Sequence, residues 1–260
     1  AGLHKEFRPI DQALVAKELI ALPAEKIDDR FQLQSGFGTA YEIFGESTWG
    51  MLGYGFIYTN KESISIGTGA LLEDLIQSGR NVNDMLDRFK KHPAIAPLIQ
   101  GGETVEYSAH LIPEYGYKYL PRLYADGVLV VGDAAGFVNP VNREGTNLAM
   151  ISGSLAAQTV KLARERDDSS IRTLSLYREL LDDSIIMKDL RQIRNVTDFA
   201  HSRPHFFTDY PELMSEVART YLTVDGTPKA KKYMKLGKML AGAPKRRLLS
   251  DALGGVRSMF

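Results

Sequence analysis

The sequence predicts a mixed α/β chain, α+β in its internal layout, and three observations predict it. The first half carries apolar residues two apart, set between turn residues. A short, wholly apolar segment, Val128-Leu129-Val130-Val131, runs into small residues and then a long helical pattern. Beyond Asp167 the spacing is helical almost throughout.

Taken in order, residues 13–22 alternate loosely as a strand would. Pro23 before Ala24-Glu25-Lys26 marks the entry of a short helix, because its fixed φ suits a first turn. Residues 39–44, 51–59 and 63–68 are rich in β-formers. The last two are joined by Asn60-Lys61-Glu62, a tight hairpin in which Asn60 would supply a positive φ. In Ser63-Ile64-Ser65-Ile66 the period of two predicts a sheet with one buried face. Helical spacing covers residues 71–76 and 82–90, with Asn81 as N-cap of the second, and Pro93 and Pro97 bracket another helical turn. Residues 104–112 read as a strand, and 128–131 as a strand buried on both faces. Residues 145–164 form the longest helix, with Leu148, Ile151, Leu155 and Thr159 on one stripe. Further helices are expected over 171–181, 184–197, 211–221 and 230–240.

Apolar residues make up 44% and charged residues 25% of the 260, values that support a sizeable core. Lys+Arg and Asp+Glu stand at 32 each, so no overall charge favours nucleic acid. The balance is uneven along the chain, however. From Lys229 to the end there are nine basic residues and one acidic residue, a net +8 that leaves −8 on the rest. The basic end suits anionic lipid, an acidic protein or plain solvent. The absence of cysteine excludes disulfides and any cysteine-ligated iron–sulfur cluster within this chain, and it fits a reducing, cytoplasmic setting. No apolar run is long enough to span a bilayer. The five histidines lack metal spacing, and Pro204 between His201 and His205 argues against a shared helical face. No metal site is expected.

The stretch that carries chemistry is residues 128–153. A strand ends at Gly132, and Asp133 follows at its carboxyl edge, where ligands of α/β sheets gather. Ala134, Ala135 and Gly136 are small enough for a bound molecule to approach the backbone. A helix then starts near Gly145-Thr146-Asn147, with free N–H groups that favour a negative or electron-rich partner. An acid that accepts hydroxyl hydrogen bonds beside such a helix end suits a ribityl chain and a reduced flavin ring. The same residues also suit a strand-ending turn and a helix-entry glycine.

This segment resembles the second FAD-binding motif of the flavoproteins that include aromatic hydroxylases, geranylgeranyl reductases and electron-transfer flavoprotein–quinone oxidoreductases. R-E-G-T-N-L-A-M at 143–150, followed by S-G, is similar to the last group, in particular its FixC-like branch. Y-T-N-K-E-S-I-S-I-G at 58–67, F-K-K-H-P-A-I-A-P-L-I at 89–99 and E-Y-S-A-H-L-I-P-E at 106–114 agree, as do Y-P-E-L-M at 210–214 and V-D-G-T-P at 224–228. The resemblance implies a two-domain FAD fold with an antiparallel sheet and a helical carboxy-terminal region. It divides the chain into a sheet domain on the substrate or quinone side (1–112), a second FAD-binding segment (113–166) and a helical region (167–260).

By the same resemblance Gly132 and Asp133 would meet the FAD pyrophosphate and ribityl chain, and Gly145, Thr146 and Asn147 the flavin ring. No catalytic acid or base is implied. The aromatic, glycine-rich run around Gly53, Tyr54 and Gly55 is a candidate quinone or flavin face, or else a plain strand bulged at its glycines. The family's opening G-x-G-x-x-G turn is missing; Gly36-Phe37-Gly38 lacks the third glycine. The expectation is therefore part of a longer protein, inactive and weak in FAD binding by itself. The whole would pass electrons from an electron-transfer flavoprotein through FAD to a small ferredoxin-like protein or a quinone, on the inner face of the cell membrane. The alternatives are a prenyl reductase of the geranylgeranyl type and a flavin-free interaction module.

Overall fold

The computed structural model describes residues 2–3, 6–242 and 245–259. The path opens with β1 (Gln12–Ala21) and α1 (Ala24–Phe31), the helix entering directly after Pro23. β2 (Ala40–Ile43), β3 (Gly53–Thr59) and β4 (Ser63–Leu71) follow, then α2 (Leu72–Ser78), α3 (Val82–Lys91), α4 (Ala96–Ile99) and β5 (Glu103–Pro113). Next come β6 (Tyr124–Ala125), β7 (Val128–Leu129) and α5 (Thr146–Glu165). The remainder is helical: α6 (Ile171–Leu174), α7 (Leu176–Asp183), α8 (Ile185–Gln192), α9 (Val196–His201), α10 (Asp209–Leu222), α11 (Lys229–Gly242) and α12 (Lys245–Met259).

These elements form two compact units, one of Ala1–Gln12, Ile112–Phe199 and Gly254–Phe260, the other of Ala13–Leu111 and Ala200–Leu253. The division by role at residues 112 and 166 remains a proposal beside them.

The sheet unit holds five strands in the order β2-β3-β4-β1-β5, with β2, β3, β4 and β1 antiparallel in sequence. Ile64 and Ile66 have no exposed surface, and they join Ile20, Ile57, Ile27 of α1 and Phe89 of α3 in one core. The one-faced pattern ends at Gly67, after which β4 is buried on both faces through to Leu71, three residues past its expected end. The β3–β4 hairpin is closed by the Asn60 N–H donating to Ser63 O at 2.8 Å and by Asn60 Nδ2 donating to Ser63 Oγ at 3.1 Å. Asn60 thus works through its amide groups. It lacks the positive φ expected of it, which among described non-glycine residues occurs at Gln32, Trp49, Arg143 and Asp167. Asn81 caps α3 as anticipated, its Oδ1 accepting from Asn83 N at 2.8 Å. Pro97 lies inside α4 and does not bound it.

Nor is β3 bulged at its glycines, since its register with β4 is unbroken from Gly53↔Ala70 to Thr59↔Ile64. The glycines answer to close packing. A Cβ on Gly53 would run into the carbonyl oxygen of Gly69 and come within 2.8 Å of the Ala70 Cα.

In the same unit, Asp251 of α12 is buried and accepts from Arg203 Nε (3.1 Å) and the Tyr210 hydroxyl (2.5 Å), with His205 Nε2 at 2.6 Å. These contacts hold its carboxyl below the usual range against the opposing effect of burial. His205 is thereby a structural group, as its sequence context suggested; His4 lies outside the described residues. The sequence pattern did not foresee α12 at all.

The other unit is built on α5. Its buried stripe is Leu148, Ser152, Ala156, Thr159 and Ala163, with Ile151 and Leu155 packed partly buried beside it. Phe137, Tyr177, Leu181, Ile186 and Met187 complete that core. The expected strand at 128–131 is a correction. Only Val128 and Leu129 pair, with β6, and Val128 and Val131 are exposed, so the segment is not buried on both faces.

Gly53→Ala tests the close approach in the sheet. The added methyl meets backbone that cannot yield, so a loss of at least about 2 kcal/mol is expected in urea unfolding. An unchanged midpoint would contradict the packing described.

Candidate functional site

The site is assembled where β7 hands over to α5. The Tyr177 hydroxyl donates to Val130 O at 2.9 Å and fixes the end of the strand. Gly132 then turns into the left-handed region with φ +56°, which glycine adopts without strain. Its N–H donates to Ser152 Oγ at 3.0 Å, and Ser152, fully buried, donates onward to Ala149 O at 2.9 Å. A Cβ on Gly132 would stand 3.2 Å from the Ala149 Cβ, so the first turns of α5 and the strand end press together here.

A short 3-10 turn over Gly132–Ala135 presents Asp133 exposed. Its Oδ1 lies 3.8 Å from the point a Cβ on Gly145 would occupy, so the structure brings Asp133 to the entrance of α5. The first helical hydrogen bond of α5 runs from Ala149 N to Gly145 O at 2.8 Å, and no side chain caps the helix. The N–H groups of Thr146 and Asn147 precede that bond, on exposed residues. All five sequence-derived site residues in this segment therefore converge: Gly132, Asp133, Gly145, Thr146 and Asn147.

Two further residues shape the site, and the sequence reading did not single them out. Asn139, 2% exposed, closes the intervening loop. Its N–H donates to Glu144 O and its carbonyl accepts from Glu144 N, while its Oδ1 accepts from Val141 N and Asn142 N, both at 3.1 Å. Tyr115 fills the space where a Cβ on Gly136 would project, at a glycine with φ +73°. The smallness of Gly136 thus serves Tyr115, and Ala135 has no exposed surface; only Ala134 of that trio is open to a ligand. Glu114, next to Tyr115 in the chain, has its carboxyl pushed up to about 7 by burial. Burial likewise pushes the Tyr115 hydroxyl up to about 12, helped by the charges of Asp133 and Asp11.

Gly53, Tyr54 and Gly55 belong to the sheet unit. The space beside the two glycines is taken by β4 backbone at Gly53 and by Ser47 and Phe89 at Gly55. Tyr54 is half-buried, its ring 6.1 Å from Phe44 and 6.2 Å from Phe56.

Known proteins share this arrangement of sequence. A family model described as the ETF-QO/FixC family C-terminal domain matches residues 196–260. Protein FixC of Bradyrhizobium diazoefficiens is 47% identical over 234 residues, covering 89% of this chain and 54% of that protein. Protein FixC of Escherichia coli K12 is 42% identical over 260 residues, covering 98% of this chain and 60% of that protein. The chain is a relative of the ETF-QO/FixC family. It spans somewhat over half the length of these curated relatives.

In three dimensions it is similar to a geranylgeranyl bacteriochlorophyll reductase-like protein from Thermoplasma acidophilum. That match has TM-score 0.57 and 17% identity, covering 95% of this chain and 56% of the other. The halogenase PltM gives TM-score 0.52 at 14% identity, with 97% and 50% covered. At such identities the likeness is one of fold, and the fold is the mixed α/β type with antiparallel sheet and helices expected from the sequence.

Two outcomes are expected from the site itself. Ser152→Ala leaves the Gly132 N–H without its acceptor and should cost about 1–3 kcal/mol of stability, read by denaturant unfolding. Glu114 has a folded pKa above its ordinary 4.5, so the folded state holds a proton that the unfolded state gives up earlier. Stability contributed by protonated Glu114 is thus complete below about pH 4.5 and is lost as pH rises to about 7. Glu114→Gln should therefore raise the melting temperature at pH 8 and leave it little changed near pH 4.5. Equal shifts at both pH values would refute the raised pKa.

Proposed function

We propose that this chain forms the carboxy-terminal part of a flavin-dependent oxidoreductase, in which Asp133 and the amino end of α5 hold one side of FAD. The observation that carries the reading is the approach of the exposed Asp133 carboxylate to Gly145 at an uncapped helix start. A carboxylate there accepts hydrogen bonds from the ribityl hydroxyls, with the Gly132 turn beside it on the pyrophosphate side. The N–H groups of Thr146 and Asn147 face electron-rich atoms of the ring, and the helix dipole favours negative charge on it. Bound FAD supplies the redox chemistry; the residues here bind and orient it and tune its charge.

The donor set fits half of such a site. With no G-x-G-x-x-G turn in the sequence, the ADP half falls to the additional length that the FixC relatives possess. A groove of about 540 Å³ lined by Leu129, Val131, Ala157 and Val160, beside the exposed Val128, suits packing against that length. The complete protein accepts electrons from an electron-transfer flavoprotein. It delivers them to a small ferredoxin-like protein or to a quinone, resting on the inner face of the membrane. Tyr54 remains the candidate for the quinone or flavin face, with Gly53 and Gly55 as the strand positions that frame it.

A geranylgeranyl bacteriochlorophyll reductase-like protein shares the fold, yet the sequence identity of 41–47% is with FixC. Turnover of prenyl diphosphates would favour that second reading.

The test is the visible spectrum of the protein at the length of its FixC relatives, beside that of this chain. Flavin bands near stoichiometric amount are expected in the long form, and little or none here. Asp133→Ala in the long form should weaken FAD binding by about 10- to 100-fold, the worth of a hydrogen bond to a charged group. A colourless long form would overturn the reading.

A further inference from the structure

Helix α11 carries three parallel stripes of the same spacing. Lys232, Leu236 and Met239 turn inward; Lys232 is buried with its ammonium on Thr223 O and on Asp225 at 3.1 Å. On one flank run Lys231, Lys235 and Lys238, all exposed. On the other flank Tyr233 and Leu240 are 59% and 54% exposed, and Met234 beyond them is 61% exposed. The helix bears five lysines and no acidic residue. Just ahead of it Tyr221, Leu222 and Val224 add more exposed apolar surface.

An apolar arc left open to water beside a row of lysines is the pattern of a helix lying in a membrane interface, apolar side chains among the acyl chains and ammonium groups at the headgroups. A soluble acidic partner would match the lysines but leave Tyr233, Met234 and Leu240 without a reason to be exposed. We infer that α11 is the surface by which the protein seats on an anionic bilayer. This rests on the peripheral placement proposed above and names the face responsible; it does not depend on flavin. Among the described residues no helix is long and apolar enough to cross a membrane, so the contact is one of surface seating.

The measurement is co-sedimentation of the 260-residue chain with phosphatidylglycerol–phosphatidylcholine vesicles and with pure phosphatidylcholine. Binding to the anionic vesicles that falls with salt is expected. Lys231→Gln with Lys235→Gln and Lys238→Gln should lower partitioning on the order of 100-fold, each lysine near the surface contributing about fivefold. Tyr233→Ser with Met234→Ser and Leu240→Ser should abolish the binding that survives high salt, with circular dichroism unchanged in both variants. Because the chain lacks cysteine, Tyr233→Cys carries a polarity-sensitive dye at one site. Its emission should shift blue on anionic vesicles, while a dye on Glu62→Cys at the hairpin tip should not shift. No binding by the unaltered chain would overturn the peripheral placement itself. Binding that ignores both triple variants, or a dye at residue 233 that stays in water, would leave that placement standing and overturn α11 as its surface. Flavin content, read separately, bears on neither outcome.

Discussion

The buried N–H of Gly132 constrains everything around it. At a left-handed glycine that ends a strand, this donor has no ladder partner, and leaving it bare costs on the order of 1–3 kcal/mol. Ser152, one turn into the body of α5, accepts from it and is itself satisfied by Ala149 O. The helix must therefore sit close enough for the Gly132 and Ala149 backbones to crowd one another. That closeness sets Asp133 at the mouth of α5. The Tyr177 hydroxyl on Val130 O secures the strand from the opposite direction, and the Asn139 side chain holds the loop that returns the chain to Gly145. The position of one carboxylate is thus decided by Ser152, Ala149, Tyr177 and Asn139.

Much of this was open to reading along the chain. The period of two in Ser63-Ile64-Ser65-Ile66, the Asn81 cap and the Pro23 helix entry depend on neighbours within a few residues, and all three hold in the structure. The meeting of Gly132, Asp133, Gly145, Thr146 and Asn147 at one helix start was also legible, because strand end, acid and helix start follow one another within a single loop. What stayed hidden depends on partners far away in sequence. Ser152 serves a residue 20 positions earlier and Tyr177 one 47 positions earlier, and nothing local marks either. Gly136 misled for the same reason: its small size looked like room for a ligand and is room for Tyr115. The segment 128–131 misled in a different way. Four apolar residues announce burial on both faces, and in this chain only one side has a partner strand.

Placement of charge adds a second layer. From Arg203 onward the described ion pairs join Asp251 to Arg203 and His205, Asp209 to Arg247, and Asp225 to Lys232. Each of these fixes one helix to another segment. Lys231, Lys235 and Lys238 on the open flank of α11 take no part in that work and stay exposed. A net charge of zero for the whole molecule conceals this division entirely.

Charge placement matters at the candidate site as well. Asp133 is exposed, while burial pushes the nearby Tyr115 hydroxyl up to about 12, so that hydroxyl stays neutral near pH 7. A neutral Tyr115 near one exposed carboxylate adds no negative charge by the start of α5. On the reading proposed above, an anionic, reduced ring would meet the helix dipole there opposed by Asp133 and by no ionised Tyr115. Electron transfer asks for that kind of electrostatic setting more than for a poised proton donor. On this argument Tyr115 matters to the site through the charge it withholds.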